Sequence, residues 1–295
     1  MKIGIQIPYF TYPGSHAEIP DHLESIVKTV DSGGFDSLWV MDHYFQIQNL
    51  FELEYTEPMF EGYSLLNYFA GLTKNIKLGA LVTGIIYRNP AFLVKQVTAL
   101  DVLSKGRAYF GIGAAWYKEE AEAYGFPYPS VKVRFEMLEE NLKIAKQMFS
   151  DNNDAFHGKH YNLGETQNSP QPTQKPHPPI MIGGMGEQKT LRMVAQYADA
   201  CNLFAAVGIK TLKHKLSILR KHCESLGRNY SEIEKTSLGT VKLTQNESSA
   251  KGIIQHFKEL ADIGIEHAIV NMPNVHEISP LETMRDEVLP VVIDL

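Results

Sequence analysis

Cysteine is scarce in this chain: two residues, Cys201 and Cys223, in 295. Their spacing provides neither a disulfide framework nor a zinc site, so the expectation is reduced thiols in a cytoplasmic protein. No run of 18 apolar residues exists, which removes the usual mark of a membrane-spanning helix. The N-terminus, "MKIGIQIPYF", alternates and is only briefly apolar, so it reads as a first strand rather than a signal peptide. Lys and Arg form no block and the formal net charge is −6. That argues against nucleic acid as a partner, because such proteins carry a clustered basic face. No internal repeat and no linker divides the chain, and residues 1–295 read as one domain.

What the sequence does have is alternation. Strands are predicted over 2–7, 35–41, 76–86, 107–112, 178–184, 198–204, 236–243 and 265–272. Between them lie helices predicted over 20–32, 64–72, 90 to about 105, 130–149, 187–198, 209–225, 247–261 and 280–293, each with apolar residues at helical spacing or a start signal. Leu23, Ile26, Val27 and Val30 make one inward stripe. Asn89–Pro90 is an N-cap followed by proline at the first helical position. Thr244 and Glu247 have capping-box spacing. On the helix over 130–149, Phe135, Leu138, Leu142, Ala145 and Phe149 line one face, with Arg134 placed elsewhere. Eight strands alternating with eight helices predict an α/β fold, a single (β/α)8 TIM barrel, with an insertion at about 151–178. An open doubly wound sheet fits the same alternation.

Two glycine-rich turns follow strands. "GIGAAW" (111–116) places Gly111 and Gly113 at the end of the fourth strand, where barrel active sites lie. It lacks the third glycine of a dinucleotide fingerprint, and a tight strand-to-helix turn would look the same. "IGGMGEQKT" (182–190) repeats the arrangement after the fifth strand: Gly183 and Gly184 give access, and Gly186 and Glu187 begin a helix. Free amides at a helix start form a ready anion site, and no P-loop Lys-Ser/Thr is present. Two such mouths on neighbouring strands suggest one phosphate held between them. In "WVMDHYF" (39–45), Asp42 and His43 stand just beyond the second strand, and such a pair suits general acid–base chemistry. No cluster resembles a metal site; His157-x-x-His160 reads as loop composition. Aromatic residues of 44–63, Tyr44, Phe45, Phe51, Tyr55 and Phe60, suggest a cover over the site, and residues 44–63 and 151–178 are expected to build the substrate pocket.

Together, "WVMDHYFQ", "LGALVTGIIYRNPAFLVK", "LSKGRAYFGIGAAWYKEEAEAYG", "HPPIMIGGMGEQKTLRMVAQYADACN" and "GIEHAIVNMP" resemble the bacterial-luciferase-like superfamily, in particular its branch of probable F420-dependent oxidoreductases. The resemblance implies a commonly dimeric (β/α)8 barrel with coenzyme F420 or FMN at the C-terminal mouth and a small-molecule substrate. It implies a bulge with a non-prolyl cis peptide near Leu81, Val82 and Thr83, on which the ring leans. It places the phosphate at Gly111, Gly113, Ala114 and Ala115 and at Gly183, Gly184, Met185, Gly186 and Glu187. It places His43 near ring and substrate as the acid–base residue, with Asp42 orienting it or contacting the cofactor. Sugar-phosphate dehydrogenases of the superfamily carry a glutamate where this chain has Trp116, which puts that reaction in doubt; Trp116 would shape an apolar or aromatic substrate pocket or stack beside the ring, and Tyr44 is expected in the substrate pocket. Glu119 and Glu120 are expected on a solvated helix face. An F420-linked hydride transfer, an FMN-dependent monooxygenation and a non-catalytic flavin-binding protein all remain open at this point.

Overall fold

A computed structural model of the chain describes residues 1–243 and 249–295. Eight parallel strands close on themselves: β1 Lys2–Ile7, β2 Ser37–Val40, β3 Lys77–Ala80, β4 Ala108–Gly113, β5 Ile180–Gly183, β6 Ala200–Phe204, β7 Glu234–Thr240 and β8 His267–Asn271. Each pairs with its chain neighbour, for example Gly4 opposite Ser37 and Phe110 opposite Ile180. β8 returns to β1 with Lys2 opposite His267, which closes the barrel. The open-sheet alternative is thereby excluded.

Helices α1 Ile19–Ser32, α2 Gly62–Leu72, α3 Pro90–Leu103, α4 Lys118–Ala123, α5 Val131–Met148, α6 Thr190–Tyr197, α7 Ile209–Leu226 and α8 Ala250–Asp262 follow the strands. The stripe Leu23, Ile26, Val27 and Val30 of α1 is buried. Asn89 caps α3, its side chain accepting from Ala91 N at 3.0 Å. Thr244 and Glu247 lie outside the described residues; the cap of α8 is Ser249, which accepts from Gly252 N at 3.2 Å. The last helical stretch is broken into Ser279–Thr283, a π-turn Met284–Val288, and Leu289–Val292. None of the described helices is long and apolar enough to cross a membrane.

Three expectations change. The third strand is not continuous over 76–86: it stops at Ala80, the Leu81–Val82 peptide is cis, and pairing resumes at Thr83–Gly84. Arg134 is not on the outer face of α5. It sits one turn before Leu138 and is buried, because its guanidinium caps carbonyls of the β4 loop. The stretch 151–178 forms a small ribbon (Phe156–His157 with Asn162–Leu163) and then straps α3 to the barrel. Gln174 Nε2 donates to Asp101 Oδ1 at 2.7 Å, and Asn168 Nδ2 to Thr98 Oγ1 at 2.9 Å.

The lower barrel is filled by Trp39, Tyr109, Met181 and Ile269 above a polar layer. There Trp39 Nε1 donates to Ser37 Oγ at 2.6 Å, and His267 Nε2 lies 2.7 Å from the same oxygen. Glu234 accepts from Tyr109 OH at 2.9 Å and Lys2 Nζ at 2.8 Å. Burial alone would raise the Glu234 carboxyl, but His267 and Lys2 outweigh it and hold the group at about 2, below its ordinary 4.5. A lowered carboxyl stabilises the fold above its unfolded value and loses that contribution as pH falls through its folded value. Glu234→Gln is therefore expected to be less stable than the parent at neutral pH, with the difference shrinking below 4.5. Urea unfolding across pH checks this; a pH-independent difference contradicts it.

Candidate active site at the barrel mouth

A cavity of about 650 Å³ opens at the C-terminal ends of the strands. Its wall holds the β3 break (Leu81, Val82, Thr83), the end of β4 and its loop (Gly113 to Trp116), the end of β5 (Gly183, Gly184), and Asp42 and His43 after β2. A second cleft of about 670 Å³ lies at the opposite end, beside Lys2, Asp36, Lys235 and Glu266. That is the end of a (β/α)8 barrel associated with stability rather than chemistry.

The two glycine mouths have a packing reason before any ligand enters. A Cβ on Gly113 would lie 2.9 Å from Val82 Cγ2, and one on Gly183 would lie 2.8 Å from it. The Val82 side chain of the bulge thus fills the space that these two glycines leave. Gly184 has φ +121°, a conformation that glycine adopts freely. The amides of Ala114, Ala115, Met185 and Gly186 have no acceptor among the described residues. Arg134 reaches the same corner, its Nε donating to Ala114 O at 3.0 Å and its Nη1 to Pro129 O at 2.6 Å.

Not every predicted site residue lies here. Gly111 is inside the barrel wall: a Cβ there would fall 2.0 Å from Ala80 O, so close strand contact explains the glycine. Met185 leans on β6, its Sδ 3.5 Å from Phe204 N. Gly186 and Glu187 precede α6, which starts only at Thr190. The Glu187 carboxylate turns to α7, bonding Lys215 Nζ at 2.6 Å with His214 Nε2 at 3.2 Å. Tyr44 is not in the cavity wall; its ring stacks on Tyr124 and Phe126, with centroids 5.4 and 5.6 Å apart. Of 44–63 only Ile47 and Leu50 face the cavity, and of 151–178 none does among the described residues. Of the other aromatics of that cover, Phe60 meets Phe10 edge-on at 5.0 Å and Phe51 lies 6.0 Å from Tyr9, while Phe45 meets Tyr124 edge-on and Tyr55 is exposed.

Asp42 and His43 are not partners of one another. Arg88 clamps both Asp42 oxygens, Nη1 to Oδ2 at 2.6 Å and Nη2 to Oδ1 at 2.8 Å, and also pairs with Glu61. Asp42 is buried in this ion pair and does not orient His43. That task falls to Glu120, which is fully buried rather than solvated. His43 Nδ1 lies 3.0 Å from Glu120 Oε2, which also accepts from Tyr87 OH at 2.5 Å. Glu120 Oε1 accepts from the backbone N–H of Tyr44 and, at 2.8 Å, of Phe45. Burial would raise the Glu120 carboxyl, but these bonds outweigh it and keep it below the usual range, hence ionised at neutral pH. Glu119, its neighbour, is exposed.

A signal for Glu120 was present in the sequence. It stands in the helical stripe Tyr117, Glu120, Ala121, Tyr124, and Tyr117 and Ala121 are buried. A charge inside an apolar stripe requires partners. Trp116 lies against this group: its ring stacks on Tyr117 (5.3 Å, 18°) and meets His43 edge-on (5.6 Å, 74°). Deeper in the cavity are Gln6 and Asn271, register partners on β1 and β8. Gln6 Oε1 and Asn271 Oδ1 are buried and face no donor among the described residues.

A closed parallel barrel with a glycine-edged cavity and a tethered histidine at its C-terminal mouth defines a (β/α)8-barrel enzyme. The chain belongs to the luciferase-like monooxygenase family, whose sequence profile matches residues 1–281. This places it among the flavin- or F420-dependent oxidoreductases and monooxygenases. It is 27% identical over 236 residues to an F420-dependent glucose-6-phosphate dehydrogenase of Kineococcus radiotolerans, covering 79% of this chain and 67% of that protein. Among solved structures, an F420-dependent secondary alcohol dehydrogenase with an F420-acetone adduct shares the fold at TM-score 0.83 and 20% identity, covering 99% and 98% of the two chains. A monooxygenase from Streptomyces bottropensis shares it at TM-score 0.84 and 16% identity, covering 98% and 99%.

Proposed function

We propose that this enzyme uses coenzyme F420 to move hydride to or from an organic substrate, with His43 as its acid–base residue. The observation that carries the reading is the Glu120-tethered imidazole of His43 at the mouth, facing the same cavity as the Leu81–Thr83 break and the two glycine mouths. The F420-dependent relative supports the choice of F420 over FMN.

The cavity fits such a group on its own terms. Two donor-less amide oxygens, Gln6 Oε1 and Asn271 Oδ1, suit a heteroaromatic ring that carries N–H. Unpaired amides at Ala114 and Ala115, with Arg134 beside Ala114, suit a phosphate, and Met185 and Gly186, next in the chain after the lining Gly184, carry unpaired amides as well. Leu81, Val82 and Thr83 would back the ring. When bound, the deazaflavin supplies or accepts the hydride. The chain's own residues then handle the proton. With Nδ1 committed to Glu120, His43 presents Nε2 to the cavity, where it takes the proton of a substrate hydroxyl or returns one to a carbonyl oxygen. The ionised Glu120 holds the ring's orientation and balances the charge that arises when His43 takes a proton.

Anaerobic turnover tests this. F420-loaded protein is expected to exchange hydride between cofactor and an alcohol or carbonyl substrate without oxygen, followed by F420 absorbance. Turnover that requires both reduced FMN and oxygen would overturn the proposal in favour of a monooxygenase.

A further inference from the structure

We propose that the part of the cavity beside His43 takes an uncharged alcohol or carbonyl compound with an apolar body, and not a sugar phosphate. This rests on the oxidoreductase reading above and names the substrate class of the same site.

Charge comes first. Arg134 is the one Lys or Arg side chain in the cavity wall among the described residues. Its Nε hydrogen and one Nη1 hydrogen are engaged at Ala114 O and Pro129 O, and its guanidinium lies 4.1 Å over the Tyr128 ring, which holds the cation at the β4 loop. What reach it retains is toward the β4 loop, where the cofactor's phosphate is placed. The Asp42 carboxylate is taken by Arg88. A substrate phosphate, with a charge of about −1.5 to −2 at neutral pH, would therefore enter without a cation of its own, and burying an unpaired charge is strongly unfavourable.

The side chains that the β2 and β4 loops add to the cavity wall beyond Asp42 and His43 point the same way. Ile47 and Leu50 come from the β2 loop and Trp116 from the β4 loop, and none of them offers a sugar's several hydroxyls an array of partners. Trp116 is 60% exposed yet already held, stacked on Tyr117 and edge-on to His43. It is a preformed apolar plate beside His43, whose Nε2 a reacting substrate oxygen needs. A molecule with one reacting oxygen and a hydrocarbon body matches that pattern.

The two tryptophans make this measurable without turnover. Trp39 is fully buried in the barrel, whereas Trp116 faces the cavity. Tryptophan emission and titration calorimetry are followed, with and without F420, while cyclohexanol, cyclohexanone or glucose 6-phosphate is added. The expected result is at least tenfold tighter binding of the cyclic alcohol or ketone than of the sugar phosphate, with the emission change lost in Trp116→Phe while calorimetry still detects binding. Equal or tighter binding of glucose 6-phosphate overturns the proposal, as does failure of both neutral compounds to bind in either form. If F420 binds but glucose 6-phosphate wins, the substrate class falls and the oxidoreductase reading stands. If F420 does not bind, that reading falls, and the neutral-ligand response of Trp116 in the free protein still decides the class of compound the cavity accepts.

Discussion

Replacing His43 with alanine is expected to lower turnover by ~10²–10⁴-fold while leaving cofactor affinity close to the parent's. The size follows from the loss of a positioned acid–base group. The preserved affinity follows from the geometry: the glycine mouths, the Leu81–Thr83 break and the Gln6–Asn271 floor are built from other strands and do not depend on the imidazole. The variant should lose some stability, since the nearly buried ring gives up its bond to Glu120 and its edge-on contacts with Trp116 and Tyr117. Steady-state kinetics beside a cofactor titration checks this. Unchanged turnover would remove His43 from the mechanism, and a parallel collapse of cofactor affinity would recast it as a binding residue.

Glu120→Ala is expected to be the most destabilising substitution in the site. The carboxylate accepts from His43 Nδ1, Tyr87 OH and the backbone N–H groups of Tyr44 and Phe45, all around a fully buried position. Alanine would strand these donors, and breaking such a buried charged network costs about 3–5 kcal/mol, or very roughly 10 °C in Tm for a chain of this size. Glu120→Gln separates folding from chemistry. An amide keeps the volume and one acceptor, so much of the stability should return. It has no charge to balance a protonated imidazole, so turnover should stay at least tenfold low and its pH profile should move. Thermal unfolding of both variants beside a pH–rate profile makes the test. A glutamine variant with parental turnover and pH profile would reduce Glu120 to a structural role.

The barrel was legible because each strand and helix carries its own signal. Alternating apolar runs and the Asn89–Pro90 start each speak for a few residues, and eight such units fit either a closed barrel or an open doubly wound sheet, which only the pairing of β8 with β1 separates. The glycines of the mouths were legible as positions but not as reasons. Gly111 answers to Ala80 O and Gly113 to Val82, contacts across strands that no local window contains. The same limit explains the polar residues. Asp42 and His43 are adjacent in sequence and read as a pair, yet their partners are Arg88 and Glu120, 46 and 77 residues away. Periodicity counted on apolar residues alone leaves Arg134 off the inner face of α5, although its place one turn before the buried Leu138 puts it there. Tyr44 reads as one of the aromatics that cover the pocket, but its backbone N–H is held by Glu120 and its ring stacks on Tyr124 and Phe126.

The mouth of this barrel is proposed to hold F420, with its ring against Leu81–Thr83 and its phosphate between the β4 and β5 loops. The most direct measurement is titration of the cofactor-free protein with F420 and with FMN, by calorimetry or fluorescence quenching. Micromolar or tighter binding of F420 and much weaker binding of FMN are expected. Tight binding of FMN alone, or of neither, would contradict the proposal.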